Sequence, residues 1–526
     1  MTLTYGSLES YLMPAEVTDF SEQHLIDQHG FDRGPCEGGN LYMSAAYLLR
    51  WDGPMDESDF PYLYQSFSSS LPKKHVQNIL MLPPKTSDLD NDAIKEAIMR
   101  YGAVYTAYYH SNSYYNATYR SYYYNGTNSA NHAVAIVGWD DDFDRNRFNT
   151  SAPGNGAFIY RNSWGTSWGD GGYGYVSYYD TRFARDEKGN AVIKVEDTTN
   201  YAQVYQYDPL GWVSSYYSCG EGCGWGANIY TAEYNQVIQA VGFYALSANT
   251  SYQVYIYTGV ANDQPTSGTL KSTKNGTINL PGFYTISLAD KVSVNQGQQF
   301  SVVLYVNSPG YKWPVAMEKK YSGYSSNASA ERGQGFLSGN GSTWTDMLNV
   351  WPDHLPSVCL KVYANPAPVI SGTVYDAGGQ PLTGESVRIE VYSQDPCNNQ
   401  QILAWADTNV TNGAYTVTGL QDLGPYYVQA GRLSRFYDEW FGANGSDCSK
   451  ASPVWLNTDL VNFTMIPFLL GDINGDRVVD LSDIVIGLKT CAGSATIPNP
   501  KGDVNGDQQI GMPEVIYQMQ HVGGMQ

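Results

Sequence analysis

One histidine and one asparagine of this chain stand at the ends of two apolar runs. His132 comes directly before the run 133–139, and Asn162 closes a later run and is followed by Ser163-Trp164-Gly165. Two strands that each end in such a residue can place an imidazole beside a side-chain amide. An amide that orients an imidazole makes it an effective general base for a nucleophile. The two residues are therefore predicted to form part of a nucleophilic catalytic site.

Two acidic segments near the C-terminus are the second chemical signal. They begin at Asp472 and Asp503 and repeat the same spacing of oxygen-bearing residues. Oxygen ligands at positions 1, 3, 5, 7, 9 and 12 of a loop suit calcium, a hard cation that takes about seven of them. The first set is Asp472, Asn474, Asp476, the Val478 carbonyl, Asp480 and Asp483, and the second set is Asp503, Asn505, Asp507, the Gln509 carbonyl, Gly511 and Glu514. We predict two calcium sites, and acidic turns that bind no metal are the alternative.

Position 6 of both loops departs from the calcium-loop pattern, which has glycine there. Arg477 occupies this position in the first loop, and Gln508 occupies it in the second. Either residue has to adopt a backbone conformation that glycine accepts more readily. We therefore expect a reduced affinity for calcium.

The composition of the 526-residue chain restricts its partners. It has 51 acidic and 30 basic residues, a net charge of -21, which argues against a nucleic-acid or anionic-membrane partner. The 45 tyrosines and 53 glycines, with only 15% charged residues, are typical of a β-rich protein that works outside the cell or faces carbohydrate. No transmembrane helix is predicted, because no apolar run is long enough, and no signal peptide is visible.

Helices and strands have to position these residues. A helix is predicted to begin after Ser21, which would be its N-cap. An amphipathic helix is predicted over 89–103, with Ile94, Ile98 and Met99 facing the core. From residue 200 onward, short alternating runs and frequent turns predict β-sandwich structure.

Several short motifs resemble those of papain-like cysteine peptidases, and they occur in that family's order. The matching segments are Phe-Ser-Glu-Gln at 20–23, Cys-Glu-Gly-Gly at 36–39, His-Ala-Val at 132–134, Val-Gly at 137–138, Asn-Ser-Trp-Gly at 162–165 and Gly-Tyr-Gly at 172–174. The resemblance implies an α+β peptidase fold that hydrolyses peptide bonds in proteins. It implies no cofactor for catalysis.

The resemblance also implies a role for each matching residue. His132 would accept the proton of a catalytic thiol and later protonate the leaving amine, while Asn162 would hold the imidazole in place. Trp164 would shield their hydrogen bond from water. Gly38 and Gly39 would let their loop approach an extended peptide substrate and pair with its backbone.

The catalytic cysteine is not found in the chain. In the family it opens the long central helix within a Cys-Trp motif, after a glutamine of the oxyanion hole, and neither stands before the helix predicted over 4–13. Cys36 matches a structural cysteine whose disulfide partner is also missing, which fits the odd number of seven cysteines. Cys397 and Cys448 fall in one predicted domain and can pair. We expect the chain as written to be inactive, and the natural product to carry a signal peptide, a pro-segment and the Cys-Trp motif before Met1.

Four domains are predicted, which makes the protein a multidomain α+β chain. Residues 1–199 form the papain-like peptidase domain without its nucleophile. Residues 200–363 resemble the lectin-like β-sandwich of some bacterial papain-like peptidases, and residues 364–468 resemble a carboxypeptidase-regulatory-like sandwich. Residues 469–526 resemble a dockerin, a small helical calcium-binding unit of the EF-hand kind.

These features predict a secreted bacterial papain-like cysteine endopeptidase, located outside the cell or on its surface. Its predicted partners are a protein or peptide substrate, a cell-surface glycan and a cohesin-like protein. The glycan would stack on exposed Tyr and Trp rings of 200–363, for which core packing and cross-strand pairing are the alternative. The alternative function is a non-catalytic carbohydrate-binding or surface-assembly protein that keeps an inactive peptidase fold.

Overall fold

The chain divides into two compact units, 1–366 and 367–526. The computed structural model describes residues 19–62, 71–185, 189–261, 263–393, 397, 401–420, 425–431, 436–443, 445–456, 460–493 and 502–525. The helix predicted over 4–13 lies outside these residues. Within the described ranges, no helix combines the length and apolar character that crossing a membrane requires.

Four α-helices are described in the first unit. They are α1 (Glu22–Gln28), α2 (Leu41–Leu49), α3 (Asp92–Tyr101) and α4 (Met347–Val350). The predicted N-cap of α1 is confirmed, because the Ser21 side chain accepts a hydrogen bond from the backbone N–H of His24 at 3.0 Å. Helix α3 buries Ile94, Ala97 and Ile98, whereas Met99 is 71% exposed. The prediction for Met99 is wrong because five residues at about 100° each turn it well away from the face of Ile94.

The strands of the first unit occur on both sides of residue 200. Those before it are β1 (His75–Met81), β2 (Val104–Tyr108), β3 (Tyr115–Asn116), β4 (Ser121–Tyr122), β5 (His132–Asp140), β6 (Ala157–Arg161), β7 (Tyr173–Ser177) and β8 (Ala191–Glu196). Those after it are β9 (Gln203–Tyr205), β10 (Ser214–Tyr216), β11 (Cys223–Thr231), β12 (Gln236–Ala245), β13 (Thr250–Thr258), β14 (Thr269–Ile278), β15 (Gly282–Val294), β16 (Gln299–Asn307), β17 (Val315–Glu318), β18 (Gly335–Ser338), β19 (Trp344–Asp346), β20 (Ser357–Val358) and β21 (Leu360–Pro366).

A twelve-stranded sheet joins the two parts of the first unit. Its order is β3-β4-β7-β6-β5-β2-β8-β1-β15-β12-β21-β9. The parts meet where β1 pairs antiparallel with β15, with Ile79 opposite Phe283. The domain boundary predicted at 199/200 thus falls within one sheet, and it remains a prediction as a boundary of folding.

A sandwich core fills the part of the first unit after residue 200. A six-stranded sheet, β14-β13-β16-β11-β18-β19, faces the far end of the twelve-stranded sheet, and β10-β17-β20 form a small third sheet. Val241 and Phe243 of β12 belong to one core with Val254 of β13 and Val302 of β16. Along β13, buried and less buried side chains alternate with the period of two of β-structure, whereas β12 is buried along most of its length.

Two small sheets and two α-helices are described in the second unit. Its elements are β22 (Ile370–Tyr375), β23 (Arg388–Tyr392), β24 (Ile402–Asp407), β25 (Ala414–Val417), β26 (Tyr427–Ala430), β27 (Glu439–Trp440), β28 (Phe463–Thr464), α5 (Leu481–Cys491) and α6 (Met512–Val522). The sheets β25-β22-β28 and β24-β23-β26-β27 share one core. The predicted pairing of Cys397 with Cys448 is confirmed as a disulfide.

The helices α5 and α6 follow the two acidic segments and pack against each other. A side chain at Gly487 of α5 would meet the Val515 side chain of α6 at 2.6 Å. Glycine at this position therefore permits the close approach of the two helices. Helix α5 begins with a capping box between Asp480 and Asp483, whereas at the start of α6 only Glu514 accepts from the N-cap backbone, because Gly511 has no side chain.

Candidate active site

Three neighbouring strands bring the predicted catalytic residues together. His132 is the first residue of β5, and it lies opposite Tyr108 at the end of β2. Asn162 directly follows β6, which pairs antiparallel with β5 on its other side. The Asn162 backbone N–H donates to the Gly172 carbonyl at 2.9 Å, which fixes the start of the loop after β6. Strand order thus places two residues that are distant in sequence at the same end of two neighbouring strands.

The imidazole of His132 is hydrogen bonded to the amide of Asn162. Its Nε2 lies 2.9 Å from Asn162 Oδ1. The backbone N–H of Ser163 donates to the same oxygen at 2.9 Å, which supports the assignment of that atom as the acceptor. Nε2 therefore carries the proton, and Nδ1 of the neutral ring is left with a free lone pair. The pair is oriented so that Nδ1 can act as a base.

The environment of His132 favours its neutral form. Burial lowers the pKa of His132 from its ordinary value, the hydrogen bond to Asn162 opposes that effect, and the nearby His110 ring lowers the pKa further. Asn162 is almost completely buried, and its Nδ2 has no partner among the described residues. A buried, oriented and neutral imidazole is available to accept a proton.

Trp164 lies on the face of the His132 ring. The two rings stack with centroids 4.8 Å apart and an interplanar angle of 24°. Trp168 holds Trp164 in an edge-on contact at 5.3 Å, and it packs in turn against Tyr160 and Tyr115. The indole is placed to cover the histidine side of the site, and its shielding role in catalysis remains a prediction.

His110 is a residue of the site that no motif in the sequence indicates. Its ring centroid lies 5.7 Å from that of His132 and 4.8 Å from that of Trp164. It follows β2 in a tyrosine-rich stretch with no motif around it. Only the pairing of β2 with β5, which places Tyr108 opposite His132, brings His110 to the site.

The glycine loop around Cys36 is exposed. Gly38 has a φ of +68°, a left-handed conformation that favours glycine. A Cβ atom added at Gly38 would meet no other atom within 4 Å. Gly39 precedes the N-cap of α2, Asn40. Among the described hydrogen bonds and ring contacts, none joins Gly38 or Gly39 to His132 or Asn162. Their role in substrate binding remains a prediction.

None of the seven cysteines contacts His132 in the described structure. Four form the disulfides Cys219–Cys223 and Cys397–Cys448. Cys36 and Cys491 are exposed free thiols, and Cys359 is a buried one. Burial raises the pKa of Cys359 well above its ordinary value, and the neighbouring Asp208 adds to the effect, so this thiol is a poor source of thiolate.

The carboxylates of the first acidic loop accept hydrogen bonds from the backbone of the same loop. Asp472 Oδ1 accepts from the Gly475 N–H at 2.7 Å, and its Oδ2 accepts from the Arg477 N–H at 2.8 Å. Asp483 Oδ1 accepts from the Ile473 N–H at 2.9 Å. The left-handed conformation predicted at position 6 is present, with a φ of +74° at Arg477.

The second acidic loop repeats this arrangement. Asp503 Oδ1 accepts from the Gly506 N–H at 2.8 Å, and Glu514 Oε1 accepts from the Val504 N–H at 3.3 Å. Gln508 at position 6 has a φ of +63°. Over the described ranges, no group of three or more His, Cys, Asp or Glu side chains converges as a metal site. The donor chemistry still fits a hard cation, because Asp472, Asp483 and Glu514 are buried carboxylates.

Comparison with known families agrees with this geometry. The profile of the papain family cysteine protease matches residues 3–194, and the profile of the lectin-like domain matches residues 204–364. The structure of the clostridial cysteine protease Cwp84 after propeptide cleavage superposes with a TM-score of 0.60 at 25% identity, covering 69% of this chain and 93% of that chain. The cysteine protease and lectin-like domains of Cwp84, a surface layer associated protein of Clostridium difficile, show the same fold at a TM-score of 0.59 and 23% identity, covering 69% of this chain and 83% of theirs.

Curated relatives match the first part of the chain. A cysteine protease of Blomia tropicalis is 30% identical over 198 residues, which is 35% of this chain and 52% of the relative. Pro-cathepsin H of Mus musculus is 30% identical over 182 residues, 32% of this chain and 50% of the relative. The chain thus spans about half the length of these relatives. Together with the His132–Asn162 pair, these matches show that the chain contains a papain-family cysteine protease domain, followed by a lectin-like domain.

Proposed function

We propose that this protein serves as a secreted papain-like cysteine endopeptidase with accessory binding domains. The observation that carries the proposal is the 2.9 Å hydrogen bond from His132 Nε2 to Asn162 Oδ1, which leaves Nδ1 as a base. In the proposed reaction, Nδ1 takes the proton of a cysteine thiol, and the thiolate attacks the peptide carbonyl. The resulting imidazolium then protonates the leaving amine, and water hydrolyses the acyl-enzyme with the imidazole again as base.

The thiol for this reaction is not supplied by the cysteines of the chain. The partners of His132 in the described structure are Asn162, Tyr108, His110 and Trp164. Histidine and asparagine can polarise a nucleophile but cannot replace one, and amide hydrolysis by this route needs a covalent intermediate. We therefore propose that residues 1–526 by themselves have no peptidase activity.

A pair of expressed forms tests the proposal. One form is residues 1–526, and the other extends the same reading frame upstream of Met1 to the preceding stop codon. Both are assayed on a fluorogenic peptide, with and without a thiol-alkylating inhibitor. We expect inhibitor-sensitive cleavage by the extended form alone. Inhibitor-sensitive cleavage by residues 1–526 would overturn our assignment of the cysteines.

The second candidate function is a non-catalytic surface or carbohydrate-binding protein. It is favoured by the absence of any cysteine among the described contacts of His132. Cleavage by neither form, with no cysteine in the upstream reading frame, would support it over the endopeptidase. In both cases we propose a location outside the cell or on its surface.

A glycan partner is proposed for the first unit. A cavity of about 980 Å³ is lined by aromatic rings that include Tyr42, Trp212, Tyr311, Trp313 and Tyr324. Its lining contains no charged side chain, which suits a neutral ring stacked on tyrosine or tryptophan. A glycan screen of the wild type and of Trp313→Ala tests this, and loss of the hits in the variant is the expected result.

Calcium is the cofactor that we propose for the acidic loops of the second unit. The oxygens of Asp472, Asn474, Asp476, Asp480 and Asp483, with the carbonyl of Val478, would hold one ion. Those of Asp503, Asn505, Asp507 and Glu514, with the carbonyl of Gln509, would hold the other. Buried carboxylates at calcium-loop spacing support this proposal, and a bound cation would offset their negative charge.

The calcium proposal extends to the identity of the second unit. Its two sheets with a common core would be the carboxypeptidase-regulatory-like spacer, and its two helices with their loops would be a dockerin-like module. A cohesin-like protein is the partner that we propose for this module. Co-purification of a cohesin domain with the wild type in calcium, and its loss in chelator, is the expected result.

A further inference from the structure

His110 is fixed beside His132 by the residue that precedes His132 in the chain. The His110 backbone N–H donates to Asn131 Oδ1 at 2.6 Å, and its carbonyl accepts from Asn131 Nδ2 at 3.0 Å. The Asn131 backbone N–H donates in turn to the Tyr108 carbonyl at 3.0 Å. These bonds continue the pairing of β2 with β5 beyond its last residues. The two histidines are therefore held by one local network and cannot move apart independently.

The two imidazoles also share Trp164 as an aromatic neighbour. His132 stacks on the Trp164 face, and His110 makes an edge contact with Trp164, both with centroids 4.8 Å apart. On its other side, His110 stacks against Tyr122 at 5.4 Å. Trp164 is 41% exposed and Tyr122 is buried, so one of these two neighbouring rings is solvated and the other is not. A charge on one ring therefore acts on the other over a centroid distance of 5.7 Å.

The hydrogen bonds of His110 leave it able to change its charge. Its Nδ1 lies 3.0 Å from the Tyr108 hydroxyl, and its Nε2 lies 3.2 Å from Asn112 Oδ1. A hydroxyl can donate to the neutral ring and accept from the protonated one, so both states keep a partner at each nitrogen. The ring is only half-buried, which leaves it in exchange with solvent protons.

Among the residues that the structure describes, the titratable groups in contact with the two imidazoles are phenols. They are Tyr108 of β2, which touches both rings, and Tyr122 of β4, which stacks on His110. Burial raises the pKa of both tyrosines well above the ordinary value, so both are neutral wherever histidine titrates. The variable charges among these contacting groups are therefore those of His110 and His132.

We propose that His110 is a positioning residue that acts through His132, because its protonated ring disfavours the His132 imidazolium and keeps His132 available as a base at lower pH. The meaning of this effect for catalysis rests on the proposed peptidase function. Burial lowers the pKa of His110 below its ordinary value, so the ring is neutral at neutral pH. The effect of His110 on the protonation of His132 is therefore confined to acidic pH. There it would extend the pH–activity profile of the enzyme toward lower pH.

An NMR titration of residues 1–526 with labelled histidine side chains tests the proposal without turnover. The seven imidazoles are followed from acid to neutral pH, with the His132 signal assigned by His132→Gln. The variants are His110→Gln, which keeps a donor for Asn112, and His110→Phe, which keeps the ring packing. His354→Gln, at an exposed histidine, is the control.

We expect the His132 midpoint to rise in both His110 variants by at most about 0.5 pH unit, the shift for unit charges 5.7 Å apart in a water-like dielectric when His110 is fully protonated at that midpoint. The control should leave it unchanged. An unchanged or lower midpoint in both variants, or a rise in only one of them, would overturn the proposal, because a charge effect depends on neither packing nor the Asn112 bond. Since no cleavage is measured, this failure would leave the proposed peptidase function intact, and a failure of proteolysis would leave the titration unaffected.

Discussion

The histidine–asparagine pair and the acidic loops are both recognisable in the sequence, but their side chains find different hydrogen-bond partners in the structure. His132 and Asn162 are separated by 30 residues, and their side chains meet at 2.9 Å. The acids of each loop lie within a dozen residues of one another, yet they accept hydrogen bonds from the backbone of their own loop. The His132–Asn162 pair is assembled by strand pairing, whereas each loop is shaped by local turns.

The contrast distinguishes a pair of side chains that strand order alone brings together from a set of loop carboxylates that strand order does not bring together. Strand order fixes the distance between His132 and Asn162, so the pair is preorganised before any substrate binds. The carboxylates of the loops are instead arranged around the backbone, and the proposed calcium ion would have to draw their oxygens together. Changes at the pair should therefore affect a chemical rate, and changes at the loops should affect binding and stability.

The largest effect is expected from His132→Ala in a form that contains the catalytic thiol. Loss of the base should lower kcat/KM by about 10³–10⁴-fold. The measurement is cleavage of a fluorogenic peptide, with His354→Ala as the control. A variant that keeps a tenth or more of the activity would show that the pair is not the catalytic base.

A smaller loss is expected from Asn162→Ala, because it removes the orientation of the imidazole and leaves the base in place. We expect kcat to fall on the order of 10²-fold while KM changes little. The exposed Asn128 provides a control as Asn128→Ala. Equal losses in Asn162→Ala and His132→Ala would mean that the asparagine does more than orient the ring.

Calcium should bind to the full chain with two ions per molecule and stabilise the second unit. Saturation at 100 times the dissociation constant would add about 2.7 kcal/mol to the unfolding free energy. Isothermal titration calorimetry counts the ions, and thermal unfolding with and without chelator measures the stabilisation. Asp476→Ala should remove one ion and leave the other, while Asp142→Ala in the first unit should remove none. No heat of binding and identical melting curves would contradict the calcium proposal.

The smallest expected effect is a difference in stability change between matching substitutions in the two loops. Gln508→Gly should raise the unfolding free energy by about 0.5–1 kcal/mol, because glycine relieves the left-handed conformation at a modest entropic cost. Arg477→Gly should not stabilise, since Arg477 pairs with Glu439 and lies over the Tyr437 ring at 5.3 Å. Chemical denaturation in calcium-free buffer provides the comparison. A gain in Arg477→Gly as large as that in Gln508→Gly would show that these contacts contribute nothing.

Local features of the fold were predictable because short-range physics decides them. The Ser21 cap, the buried face of α3 and the disulfide between Cys397 and Cys448 follow from nearby residue types or from the predicted domain extent. Met99 was placed wrongly because the width of a buried helix face depends on what packs against it. The same limit applied to the sheet, since no local pattern shows that β1 pairs with β15 across residue 200.

By itself, the sequence determined the identity of the papain-family and lectin-like domains, the His132 and Asn162 candidates and the spacing of the acidic loops. These depend on residue type and on distances along the chain, which are fixed covalently. Only the tertiary structure decided that the two domains share a sheet, that Nδ1 of His132 is the free nitrogen and that His110 lies beside it. The physical reason is that these features arise from strand order and register, and both are set by the packing of the whole core.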